Sequence, residues 1–331
     1  MEKNSYMIYI YSVLCFFNRG EKSVEILKVF LIILISGYLP LNNPKIDRLM
    51  PERNVSMKKV LIVLLSLLLV VLAAGCSGET AAPGQQVPST LDRVKEKKKL
   101  VIGTGVAYLP FEMKDKDGNF VGYDIDMGNA IGKALGVEVE FKQMKFSGLI
   151  PALQTGDIDM AIAAMTIRGD RALSVSFSDP YYSTGQIIMV PKADNVTKSW
   201  QDLDQPGKKI AVSQGTTGAL LAKQIFKQAQ VMDFENVASA ALALNQGQAD
   251  GVVTEEVVVR EYEAQKDYSV KGIYDLISAE NLGIAVQLND FATLQWLNTF
   301  LAAYKNSPED KASIDKWFNS SDWRSNVEQK K

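Results

Sequence analysis

The side chains that most often carry enzyme chemistry are missing from this sequence. Its 331 residues include no histidine, and its two cysteines, Cys15 and Cys76, both precede the part with a globular pattern. That removes the commonest general base and metal ligand, and leaves the body of the protein without a disulfide, thiolate centre or cysteine nucleophile. What remains is recognition of charge. Ser213-Gln214-Gly215-Thr216-Thr217-Gly218 follows the apolar run Ile210-Ala211-Val212 and precedes a helical pattern. A Gly-Thr turn at a helix start aims backbone N–H groups at an anion, although a plain strand-to-helix turn reads the same. Arg168 and Arg171 follow another apolar run, and spacing alone fits a surface arginine at a helix start as well as an anion clamp. Glu255 and Glu256 form an acidic pair after Val252-Val253-Thr254, either in a site or as a cap on the following helix.

The elements that must position these residues alternate. Residues 100–103, 137–141, 160–164, 187–190, 209–212, 251–253 and 283–286 read as buried strands, and 124–135, 148–154, 218–229, 239–247 and 291–304 have helical spacing. Such alternation predicts an α/β architecture with largely parallel sheets. Hydrophobic residues make up 47% and charged residues 22%, the profile of a globular protein with a core. Of 36 Lys/Arg and 38 Asp/Glu, 9 and 5 fall within residues 1–76, leaving 27 and 33 beyond and a net charge of −6 there. A mildly acidic body with dispersed lysines excludes nucleic acid as the expected partner.

The N-terminal part addresses compartment. Met57-Lys58-Lys59, the apolar run 60–74, then Gly75-Cys76-Ser77-Gly78 follow the charged, apolar and small-residue order of a secretory signal. The cysteine after Ala73-Ala74-Gly75 resembles a bacterial lipobox, with Leu72 one position earlier than usual. Residues 57–75 are therefore expected to be a lipoprotein signal peptide. Cys76 is the expected lipid attachment site, giving a tether rather than a span. Residues 76–90 read as anchor and flexible linker. Residues 1–56, with a second apolar stretch at 26–41, place a complete signal unusually deep, so translation is expected to start at Met57, with an extra membrane segment as the alternative.

From Leu91 onward the order of motifs becomes specific. Tyr108-Leu109-Pro110-Phe111, Gly122-Tyr123-Asp124-Ile125-Asp126, Phe146-Ser147-Gly148-Leu149, Asp157-Ile158-Asp159, Met165-Thr166-Ile167 and Phe177-Ser178-Asp179-Pro180-Tyr181-Tyr182 occur in order. Together they resemble the polar amino-acid solute-binding proteins of ABC importers, over residues 91–317, nearly the whole of the chain beyond Cys76. The resemblance implies a two-lobed periplasmic-binding-protein-like fold (type II): two α/β lobes joined by two crossing strands, near residues 185–190 and 280–286. Lobe one would comprise 91–186 and 282–331, and lobe two 187–281. It implies a monomer, without metal or cofactor, that passes an amino acid to importer membrane subunits outside the cytoplasm.

The resemblance also implies a site. Arg171 matches the arginine that grips the ligand carboxylate, selected over Arg168 by its spacing from Thr166. Tyr108 and Phe146 match the aromatic walls, Ala164 and Thr166 the strand end, Thr217 the helix-start turn, and Glu255 the partner of the ligand ammonium. Each charge of a free amino acid needs such a partner, because burying it unpaired is costly. Three positions depart from relatives: Glu255 replaces the usual aspartate, and Gly105 and Ser213 stand where relatives place an acid and a base. That predicts an uncharged ligand side chain. Relatives of this fold that dehydrate cyclic acids supply an alternative, a cyclohexadienyl-dehydratase-like lyase, for which Asp204-Gln205-Pro206-Gly207 and the Glu255-Glu256 pair leave room, since a buried carboxyl can act as general acid. A ligand-sensing partner of a membrane receptor is a third reading.

Overall fold

A computed structural model describes residues 88–105 and 107–327. The expected signal, Cys76 and the apolar stretches at 26–41 and 60–74 lie outside the described residues. Among those described, no helix is long and apolar enough to cross a membrane.

The chain enters through helix α1 (Thr90–Lys97), begun by a capping box between Ser89 and Asp92. Strand β1 (Lys99–Thr104) follows, then a small hairpin of β2 (Met113–Lys114) and β3 (Phe120–Val121), helix α2 (Tyr123–Leu135) and strand β4 (Glu138–Gln143). Helix α3 (Leu149–Thr155), strand β5 (Met160–Ala161) and strand β6 (Val175–Phe177) complete this stretch. Strand β7 (Tyr182–Thr184) then leads into β8 (Gln186–Pro191), β9 (Lys209–Ser213), helix α4 (Thr217–Ile225), β10 (Gln230–Phe234), helix α5 (Val237–Asn245), β11 (Gly251–Glu255), helix α6 (Glu256–Ala264) and β12 (Val270–Ile273). Strand β13 (Glu280–Leu282) returns to β14 (Ala285–Gln287), followed by helices α7 (Phe291–Tyr304) and α8 (Pro308–Ile314).

These elements form two α/β lobes. The first is built on a sheet of order β4-β1-β5-β14-β6 and the second on β10-β9-β11-β8-β12. In each, the fourth strand in this order, β14 or β8, runs antiparallel to both neighbours, and the other four share one direction. Each sheet is covered on both faces: Leu100, Ile102 and Met160 point into one core of the first lobe, and Ala161, Leu149 and Leu153 into the other. In the second lobe, Ile187 and Met189 serve one core and Ile188 and Val190 the other. Two buried faces explain why these strands read as continuous apolar runs rather than alternating ones. Each such side chain contributes roughly 1.5–3 kcal/mol of burial, so both lobes are stiff platforms for the loops at their strand ends.

The crossing strands are β7 and β13, paired antiparallel with Thr184 opposite Glu280 and Tyr182 opposite Leu282. They lie slightly earlier in each segment than the sequence placed them. The apolar run at 187–190 belongs to the second sheet, and that at 283–286 leads into the first. Strands β10 and β12, absent from the sequence reading, are the two edges of the second sheet. The helix expected to reach residue 229 ends at Ile225, which leaves chain to turn into β10.

Candidate functional site

Between the two sheets lies a cavity of about 260 Å³. From the first lobe it is lined by Gly105, Tyr108, Glu112, Phe146, Ala164 and Thr166, and from the second by Ser213, Thr216, Thr217 and Glu255. Every ligand-contact position expected from the sequence lines it except Arg171.

Ala164 stands just past β5 with φ 45, in the left-handed region, a conformation that costs a non-glycine residue about 1–3 kcal/mol. Its amide donates to Asp124 Oδ2 at 2.8 Å, and the Tyr181 hydroxyl donates to the same oxygen at 3.0 Å. Asp124 in the first turn of α2 therefore holds the strand end in its unusual shape. Burial pushes the Asp124 carboxyl up to about 7. Two residues on, the Thr166 hydroxyl donates to Glu280 Oε2 on β13 at 2.7 Å, tying the cavity wall to the crossing strands.

Arg171 is buried behind this wall. Its Nη1 donates to the Thr166 carbonyl at 2.8 Å, its Nη2 to the Gly215 carbonyl of the second lobe at 3.1 Å, and its guanidinium lies 5.1 Å from the centre of the Phe146 ring. Burial, reinforced by the charge of Arg168, pulls it down to about 10, which leaves it protonated at neutral pH. Two of its five N–H donors are occupied by these carbonyls. Arg168 is engaged by Asp170 at 2.9 and 3.1 Å and lines a separate hollow of about 520 Å³ with Ser178, Ser278 and Glu280.

Across the cavity, α4 begins at Thr217 after an N-cap in which Thr216 Oγ1 accepts from the Ala219 amide at 3.2 Å. The buried Thr217 hydroxyl has no hydrogen-bond partner among the described residues. Gly215 precedes it with φ +79, and a Cβ there would press on Ser147 Cβ of the first lobe at 3.2 Å. A glycine is required at this point for both conformation and close approach.

Glu255 ends β11 and is 4% exposed. It occupies the N-cap position of α6, yet its side chain makes no capping hydrogen bond, so it is not there to start the helix. Burial, with the Glu280 charge second, pushes its carboxyl up to about 8. Glu256 instead pairs with the exposed Arg260.

The sequence reading missed Glu112. It is 2% exposed and lines the cavity, one of its oxygens lies 3.0 Å from where a Gly105 Cβ would be, and the other, Oε2, has no partner among the described residues. Burial, with the charge of Asp124 beside it, holds this carboxyl well above the usual range. The expectation of an uncharged ligand side chain assumed that no acid stood at the Gly105 end of the pocket; Glu112 is such an acid and corrects that premise. The available signal was an acid between Phe111 and Met113, both fully buried. The Tyr108–Glu112 turn, closed by backbone bonds of 2.9 and 3.1 Å, directs it inward. Among the described residues no three His, Cys, Asp or Glu side chains are grouped to hold a metal.

Residues 100–320 match the model of the bacterial extracellular solute-binding proteins, family 3. The chain is 33% identical over 253 residues to the "Probable histidine-binding protein" of Neisseria gonorrhoeae, covering 74% of this chain and 90% of that one. It is 33% identical over 270 residues to the ABC transporter glutamine-binding protein of Bacillus subtilis (strain 168), covering 79% and 97%. Among solved structures it resembles the ancestral amino acid-binding protein AncCDT-1, a precursor of cyclohexadienyl dehydratase, with 39% identity, a TM-score of 0.65, and coverage of 70% of this chain and 99% of that one.

Proposed function

The chain belongs to the bacterial extracellular solute-binding proteins of family 3, and on that premise we propose that it captures a free amino acid between its lobes and delivers it to an ABC importer. The role is binding, not catalysis, as in the non-catalytic relatives it matches. One observation carries the ligand class. An interlobe cavity has a buried, charged arginine behind one wall and a buried glutamate that makes no capping bond in the other.

An α-amino acid brings a carboxylate and an ammonium, and only both lobes together supply partners for both. In this reading Arg171 and the N–H groups opening α4 receive the carboxylate, and Glu255 receives the ammonium. Tyr108 and Phe146 cover the ligand with apolar faces, and Thr166 and Ala164 fix its depth. A ligand that contacts both lobes favours the closed state over the open one by its differential affinity, and that closed state is what an importer can distinguish. The histidine-binding and glutamine-binding relatives agree with an amino-acid ligand without choosing one.

Lipid attachment at Cys76 belongs to the same proposal, because a tethered receptor stays beside its importer. The motif Ala73-Ala74-Gly75-Cys76 after the apolar run supports it. Cys76→Ser should move the protein from the membrane to the soluble fraction or block processing; unchanged retention and unchanged mature mass would remove the anchor. For the ligand class, a thermal-shift screen of the standard amino acids on the purified full chain should give stabilisation by at least one of them. No shift with any would contradict the proposal.

A further inference from the structure

Residues 321–327 follow the stretch that the chain shares with its family, which ends at 320. They are nevertheless well anchored. After α8 the chain makes a π turn (Asp315–Asn319) and a 3-10 turn (Asp322–Asn326) on the first lobe. The buried Trp317 and Trp323 pack edge to face there, with ring centres 5.5 Å apart. The Trp317 indole N–H donates to Asp126 Oδ2 at 2.6 Å, Phe318 stacks on Tyr182 of the crossing strand β7 at 5.0 Å, and the Lys116 amide donates to the Asn326 carbonyl at 2.9 Å. Two buried tryptophans are a large apolar anchor, so this segment moves with the first lobe.

From that anchor the segment reaches the second lobe. Arg324 Nε and Nη2 donate to Glu261 Oε2 and Oε1 on α6 at 2.7 and 2.9 Å, a bidentate pair. The Trp323 ring lies 5.4 Å from the guanidinium and steadies the fork. Glu261 shares a face of α6 with Val257, one turn earlier, and Val257 packs against the core of the first lobe. The Glu256 amide, where α6 starts, donates to the Gly185 carbonyl next to the crossing strand. Helix α6 is thus an element of the second lobe that faces the first beside β7.

Other bonds join the lobes at the cavity in the same arrangement, Lys145 to Glu235 at 3.4 Å and Arg171 to the Gly215 carbonyl at 3.1 Å. A rotation about β7 and β13 that parted the cavity walls would carry Glu261 with the second lobe and Trp323 with the first. Arg324 would then have to let go. Glu261 is buried in the joined arrangement, and a carboxylate so placed is costly without its partner.

Resting on the amino-acid reading above, we propose that residues 315–327 are a strap and that the Arg324–Glu261 pair is a latch on the closed state, which sets ligand affinity and residence time from outside the cavity. Arg324 is a positioning residue: it acts on the lobes and touches no ligand. Without it the closed state buries an unpaired carboxylate that opening returns to water. The population competent to hold ligand falls, and apparent affinity falls with it. The latch forms as the lobes close over the ligand, so its loss acts on dissociation more than on association.

The test is stopped-flow binding and equilibrium titration of the purified full chain with L-histidine, L-glutamine and the other standard amino acids taken singly, followed by the variants with the tightest of them. Arg324→Gln should speed dissociation by about tenfold and change association by less than about twofold. Glu261→Gln, which loses the pair without stranding a charge, should speed it by about threefold, and it carries the measurement should Arg324→Gln fail to fold. The exchanged pair, Arg324→Glu with Glu261→Arg, should recover part of the loss, and melting curves should show which variants are folded. A lower melting temperature with unchanged dissociation in both single variants would make the pair structural only and overturn the latch, leaving the amino-acid reading standing. Slower association with unchanged dissociation would overturn it equally. Absence of wild-type binding to every one of these amino acids would overturn both.

Discussion

The Arg171 guanidinium donates to the main-chain oxygen of Gly215 at 3.1 Å, and this bond runs from one lobe to the other. The residue assigned to the ligand carboxylate thus already reports closure. A carboxylate arriving between the lobes competes with that carbonyl for the same nitrogen and makes an ion pair where the guanidinium met an uncharged oxygen.

Removing the guanidinium leaves a bound carboxylate unpaired. Arg171→Ala should lower amino-acid affinity by roughly 3 kcal/mol or more, over about a hundredfold. Arg168→Ala, which breaks a pair with Asp170 outside the cavity, should cost far less. Titration of both variants with the same ligand checks it, and a larger loss for Arg168→Ala would mean the wrong arginine has been assigned.

Gly215 of the second lobe lies against Ser147 of the first. With φ +79 and Ser147 Cβ at 3.2 Å from an added Cβ, Gly215→Ala should strain the turn and prop the lobes apart. Affinity should fall severalfold, mainly through faster dissociation, which stopped-flow displacement would resolve. An unchanged dissociation rate would show that closure does not depend on this contact.

Acidity of the site gives a pH signature. Glu255 sits at about 8 and Asp124 at about 7 in the folded, empty protein, both raised by burial from ordinary values of 4.5 and 3.8. Over the interval between those values the folded state binds more protons than the unfolded chain. The stability this contributes is present below about pH 4 and is lost as pH rises through 7 to 8. The melting temperature of ligand-free protein should therefore fall between pH 5 and pH 8.5 at fixed ionic strength. An arriving ammonium favours the ionised Glu255, so binding at pH 7 should release protons. Calorimetry in buffers of differing ionisation enthalpy measures this, and Glu255→Gln should reduce it.

The pair Arg324–Glu261 joins the C-terminal segment to α6 of the second lobe by two bonds of 2.7 and 2.9 Å. Arg324→Ala strands a carboxylate whose side chain is 5% exposed. Its cost should approach, but stay below, the roughly 3–5 kcal/mol of a fully buried pair, because Arg324 itself is partly exposed. Denaturant titration measures it. A double-mutant cycle with Glu261→Gln should show that most of the loss is the orphaned charge.

Much of the architecture was legible because β1, β8, β9 and β11 are covered on both faces and carry unbroken apolar runs. Strands β10 and β12 were not, since an edge strand can keep polar residues such as Gln230, Asp233 and Lys271 in its short length. The crossing strand β7, Tyr-Ser-Thr, has no apolar run to announce it. At the site, Tyr108, Phe146, Ala164, Thr166, Thr217 and Glu255 reach one cavity from strand ends, helix starts and the short loops beside them, where family spacing is readable. Glu112 escaped because only the tight turn after Tyr108 decides which way it faces. Replacing Gly105 with aspartate, which the sequence alone suggests as a way to add an acid, would instead crowd a second carboxylate against Glu112, whose Oε1 lies 3.0 Å from the added Cβ.

The most direct test of the central claim uses the ligand's own charges. The amino acid that stabilises the full chain best should be titrated beside its carboxamide, which lacks the carboxylate facing Arg171, and its Nα-acetyl derivative, which lacks the ammonium facing Glu255. The intact amino acid should bind one to one, with each derivative weaker by about a hundredfold or more. Equal binding of either derivative would contradict a site that clamps both charges between its lobes.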